Sequence, residues 1–89
     1  MELLINSAIK AQISTMPDAD QHATEAVFHR LAEEFPNVPD LRKKDGNLWE
    51  LNITPRLLAL VRIESGRVEI LAVMRLEQLQ HYRLREPPG

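Results

Sequence analysis

The chain has 89 residues, 44% of them hydrophobic and 27% charged, with a formal net charge of −2 and no cysteine. This length fits a single domain over 1–89, the composition excludes a disordered chain, and the missing thiols exclude disulfide staples, thiol nucleophiles and zinc–thiolate sites. The longest apolar run, residues 57–61, is too short to span a bilayer, and the N-terminus lacks a basic stretch followed by an apolar one. A cytoplasmic protein without membrane contact is therefore expected.

Glu2-Leu3-Leu4-Ile5-Asn6 is a short apolar run closed by a turn former, which predicts a first strand. Asn6 or Ser7 can then cap a helix that runs through Thr15, with Ala8, Ile9, Ile13 and Met16 near helical spacing and Pro17 as its stop. A second helix follows. Asp18 and Gln21 stand at capping-box spacing, and Asp18 and Asp20 suit the positive end of the helix dipole. Ala23, Val27, Leu31 and Phe35 fall on one face, with Ala26 and Phe28 beside it, until Pro36 ends the helix. Residues 36–40 form a stiff connector, and Leu41-Arg42-Lys43-Lys44-Asp45-Gly46-Asn47 reads as a basic loop.

Beyond this loop the hydrophobic period changes to two. Trp49, Leu51 and Ile53 alternate with Glu50, Asn52 and Thr54, giving a strand with one dry face. Thr54-Pro55 breaks it, residues 57–63 form a second strand, and Ser65-Gly66 makes a hairpin turn into Val68, Ile70, Ala72 and Met74. Residues 76–83 fit a short helix or a last strand equally, and Pro87-Pro88-Gly89 is a tail. Helices that precede a contiguous block of strands predict an α+β fold, with two N-terminal helices packed on an antiparallel sheet and Trp49 filling the gap between the layers.

Charge is uneven along the chain. Residues 1–39 carry two basic and six acidic side chains, and residues 40–89 carry nine and seven. No nucleophile elbow, phosphate-cradling glycine loop or metal-ligand spacing is present; His22 and His29 read as surface residues, and no cofactor is expected. What remains is a set of arginines in the strand half. Arg56 opens the central strand, Arg62 lies within it, Arg75 ends the next one, and His81, Tyr82, Arg83 and Arg85 follow. The start of one antiparallel strand lies beside the end of its hairpin partner, so Arg56 and Arg75 are expected at one end of the sheet, where two guanidinium groups can clamp a phosphate. His81 can exchange protons near neutral pH and Tyr82 can stack on a base. Strand-end arginines paired with Glu50, Glu77 or Glu86 are the structural alternative.

The order of elements, with Leu48-Trp49-Glu50-Leu51-Asn52-Ile53, Arg56-Leu57-Leu58, and the hairpin from Ile63 through Ser65-Gly66 to Arg75, resembles the RelE/ParE superfamily of bacterial toxins. The resemblance implies a strand, two helices and then an antiparallel block of strands. It also implies a ribosome-dependent messenger-RNA endoribonuclease that inhibits translation and is held in a hetero-oligomer by a cognate antitoxin, with ribosome and mRNA as its other partners. On that basis Arg56, Arg75, His81 and Tyr82 are the candidate catalytic residues. Glu50 is a candidate general base; it and Asn52 stand where the family's ribonucleases carry lysines. Arg42, Lys43, Lys44, Arg62, Arg83 and Arg85 are candidate RNA contacts. The alternative within the same resemblance is a non-catalytic ParE-like toxin that binds gyrase, or a degenerate protein-interaction module.

Overall fold

A computed structural model describes residues 1–77. Its elements are β1 (Glu2–Ile5), α1 (Ser7–Ser14), α2 (Asp18–Glu34), β2 (Leu41–Asp45), β3 (Leu48–Thr54), β4 (Leu57–Glu64) and β5 (Arg67–Arg75). The five strands form one sheet in the order β1-β5-β4-β3-β2. β2 through β5 are joined by hairpins and pair antiparallel, whereas β1 joins the far edge parallel to β5. The α+β class is the expected one, but the sheet is mixed. A parallel partner needs a long crossover, and here the two helices and three further strands separate β1 from β5.

The stretch expected as a basic loop, residues 41–45, is instead the edge strand β2. Its burial pattern, one half-buried residue followed by four exposed ones, explains why no alternation marks it in the sequence. Lysine-rich edges block further strand addition, and this one carries Arg42, Lys43 and Lys44 together with a register shift between Lys43 and Asp45.

Local chemistry sets the helix ends. Asn6 caps α1, its side chain accepting from the Ile9 amide at 2.9 Å. The expected capping box on α2 does not form: Pro17 occupies the cap, Asp18 is already helical, and the Gln21 side chain reaches Glu25. Asp18 and Asp20 do lie in the first turn, at the positive end of the helix dipole.

One face of the sheet packs against both helices around Ile9, Ile13, Phe28, Leu31, Leu51, Val61, Val68 and Ile70. The buried stripe of α2 is Thr24, Phe28 and Leu31; Ala23, Val27 and Phe35 are half-buried beside it and Ala26 is exposed. Trp49 meets Phe35 edge to face, with ring centroids 5.5 Å apart, and so closes the seam between α2 and β3.

A bulge decides which side chains reach which face. Leu60 pairs with Ala72 but Val61 pairs with Ile70, leaving Leu71 unpaired. Strict alternation from Val68 and Ile70 would send Ala72 and Met74 to the helix side. The extra residue reverses that, as bulges do, so Val73 joins the core and Arg75 pairs with Leu57. The hairpin turn between β4 and β5 has positive φ at both Ser65 (51°) and Gly66 (74°), the geometry that matches strand twist.

Candidate functional site

Arg56 does not open β4. It occupies the two-residue turn Pro55-Arg56 between β3 and β4, with its amide donating to the Thr54 hydroxyl oxygen at 3.1 Å. Its carbonyl accepts from the Leu76 amide at 2.8 Å, which ties the turn to the chain just past β5. Through that contact and the Leu57–Arg75 pairing, Arg56 and Arg75 come to the same rim of the sheet and line one open cleft of about 220 Å³. Leu57, Glu77, the α2 cap residue Pro17 and Asp20 of its first turn complete the lining.

The electrostatics of this cleft are mixed. Two guanidinium groups and two carboxylates line it, so an incoming anion meets both signs of charge. Among the described residues Arg56 enters no ion pair. An arginine fork can hold two oxygens of one phosphate, and two forks at one rim can surround it.

The other candidates lie elsewhere. Glu50 projects from the sheet face opposite the helices into a groove with Lys44, Asp45, Leu48, Leu58, Leu60 and Met74, and it pairs with Lys44 at 3.4 Å. The ammonium of Lys43 stands 5.9 Å from the Trp49 ring centre, a cation–π contact. Arg42 is exposed on β2 and sits opposite Glu50 in the register. Arg62 pairs with Glu69 across β4 and β5 at 3.4 Å, beside Arg67 and Leu4. His81, Tyr82, Arg83 and Arg85 lie outside the described residues.

Arg56 and Arg75 are thus brought together, while Glu50, Arg62 and the β2 cations are not part of their cleft. Asp20 and Glu77 enter it without having been candidates. Asp20 reads in sequence only as a helix-start acid, and no local pattern ties residue 20 to residues 56 and 75. Among the described residues no group of His, Asp and Glu could hold a metal ion. No helix among them is long and apolar enough to cross a membrane.

No protein-family model matches the sequence, and no curated protein sequence does either. Solved structures do. The chain is similar to a chain in the RelB–RelE antitoxin–toxin complex of Methanococcus jannaschii, with a TM-score of 0.70 at 11% identity over 89% of this chain and 96% of the other. It is also similar to a copper-bound mutant toxin from Helicobacter pylori, with a TM-score of 0.60 at 15% identity over 89% and 98% of the two chains. A conserved hypothetical protein of Helicobacter pylori matches with a TM-score of 0.55 at 16% identity, again over 89% and 98%. At such low identity the likeness speaks for the backbone alone. The chain has the fold of the RelE-like toxins.

Proposed function

We propose that this chain is the toxin of a toxin–antitoxin pair and that it cleaves messenger RNA on the ribosome, with Arg56 and Arg75 on the scissile phosphate. The observation that carries this reading is the convergence of two guanidinium groups, nineteen positions apart in sequence, on one cleft at the sheet rim. The similar Methanococcus jannaschii structure is a complex of toxin with antitoxin, which supports a cognate antitoxin as partner here.

The reaction needs little more than charge placement and proton movement. The ribose 2′-oxygen bonds to the adjacent phosphorus as the bond from phosphorus to the 5′-oxygen breaks, leaving a 2′,3′-cyclic phosphate and a free 5′-hydroxyl. Negative charge builds on the non-bridging oxygens, where the two arginines stabilise it. A base takes the 2′-hydroxyl proton and an acid supplies one to the leaving oxygen; His81 is the proposed proton carrier, and Tyr82 the group that stacks on a base. Glu50, on the other face and paired with Lys44, has no part in this scheme.

A second reading rests on the sheet face opposite the helices. Leu48, Leu58, Leu60 and Met74 make its groove apolar where an RNA-binding face would be basic. That favours action by protein contact alone, as in a gyrase-binding toxin. Expression in bacteria separates the two. Growth arrest with messages cut at codon-phased positions, abolished by Arg56→Ala with Arg75→Ala, supports the ribonuclease. Arrest with intact messages and inhibited gyrase supports the second reading and refutes the first.

A further inference from the structure

The strand that carries Arg75 is braced unevenly. β1 pairs with residues 67–70 of β5 and stops there, so no described strand covers the outer edge of residues 71–75. The last turn of α1 reaches that edge instead. The Gln12 side-chain amide donates to the Val73 carbonyl at 2.7 Å, two residues before Arg75, and Gln12 and Arg75 line one small cleft of about 100 Å³. The helix end holds Gln12 in turn, since its carbonyl accepts from the Thr15 hydroxyl at 2.8 Å.

The bulge at Leu71 gives this bond its weight. Residues 71–74 are Leu, Ala, Val and Met, so either phase of the strand puts apolar side chains under the helices: Val73 with the bulge, Ala72 and Met74 without it. Burial therefore selects the phase weakly, and a slip of one residue turns every side chain beyond it to the other face. Arg75 would then leave the cleft that it shares with Arg56. Carbonyls alternate between the two edges of a strand as side chains alternate between its faces. The bulged phase points the Val73 carbonyl outward to Gln12. The regular phase would point it toward β4 and leave the Gln12 amide without this acceptor.

We infer that Gln12 is a positioning residue for Arg75: by holding the Val73 carbonyl it fixes the bulged phase of β5 and keeps the guanidinium in the cleft. This role rests on the phosphate assignment made above, and the test separates the two. Gln12 is exposed, and methionine matches it in length and helix propensity without a donor, so Gln12→Met removes the bond and spares the helix. NMR of the full chain reads the phase directly. Cross-strand contacts of Ala59 with Val73 and of Leu57 with Arg75 mark the wild type. In Gln12→Met they are expected to weaken, while contacts of Ala59 with Ala72 and of Leu57 with Met74 emerge. Affinity for inorganic phosphate, followed at the Arg75 Nε–H signal, is expected to fall about three- to tenfold, the worth of one hydrogen bond. Asn6→Ala weakens the other end of α1 but leaves Gln12 in place, so it is expected to keep the wild-type contacts and affinity. Unchanged contacts or unchanged affinity in Gln12→Met, or the same changes in Asn6→Ala, overturns the positioning role. If phosphate moves neither arginine in the wild type, the proposed function fails instead, and the strand contacts alone decide the role of Gln12.

Discussion

Replacing Thr24 with glutamate is expected to come close to unfolding the domain, whereas glutamate at Ala26, two positions on, is expected to be harmless. Thr24 is fully buried on α2; its hydroxyl donates to the Asp20 carbonyl at 2.8 Å and sits 3.7 Å from Met16 Sδ. A carboxylate placed there loses its hydration without a counter-charge, which costs several kcal/mol even after relaxation. A chain of 89 residues has about 4–13 kcal/mol of stability in total. Ala26 is exposed, and surface substitutions of that kind stay within about 0.5 kcal/mol. Urea unfolding reports the difference through the single tryptophan, Trp49, which packs on Phe35 at the end of α2. With a slope of about 1–3 kcal/mol/M, a loss of about 3 kcal/mol lowers the midpoint by roughly 1–3 M. Equal midpoints for the two variants would refute the α2 packing face described above.

Three further outcomes are expected. Gly66→Ala meets no atom within 4 Å, so its cost comes from the backbone at φ 74° alone: about 1 kcal/mol, read as a Tm lowered by about 4–8 °C, and an unchanged Tm contradicts it. Asn6→Ala removes the cap on the Ile9 amide and is expected to cost about 1 kcal/mol in urea unfolding, with Asn6→Ser restoring most of it. Glu50→Gln breaks a pair with a half-exposed lysine, so less than about 1 kcal/mol of stability is lost; toxicity is expected to persist, and its disappearance would return Glu50 to the chemistry.

The sequence announces elements whose signals are local and hides those that depend on distant partners. Both helices, the alternation of β3 and the Ser65-Gly66 turn follow from caps, periodicity and turn chemistry within a few residues. β2 is invisible because an edge strand pairs on one side only, and its exposed Arg42, Lys43 and Lys44 look like a solvated loop. The parallel seat of β1 is set by the helices it precedes rather than by its own four residues. On α2, a stripe drawn through Ala23 and Val27 misses Thr24, a polar residue that satisfies its hydroxyl inside the helix and so tolerates burial.

The candidate site divides the same way. Hairpin logic places Arg56 and Arg75 at one end of the sheet, because a tight turn leaves strand ends opposite each other. The face they share was not legible. The unpaired Leu71 turns Arg75 toward α2, and the Pro55-Arg56 turn carries Arg56 to the same rim. Period-two patterning predicts neither, since a bulge changes the parity of a strand without changing its composition. Asp20 and Glu77 join the cleft only through that tertiary arrangement.

Cleavage of a ribosome-bound message by the wild type, Arg56→Ala, Arg75→Ala and the double variant tests the shared phosphate clamp most directly. If both guanidinium groups hold one phosphate in the transition state, each single change slows cutting by about 10²–10³-fold, and the double change falls well short of the product of the two, because groups that act as a unit are not additive. A double variant that cuts at the wild-type rate contradicts the account.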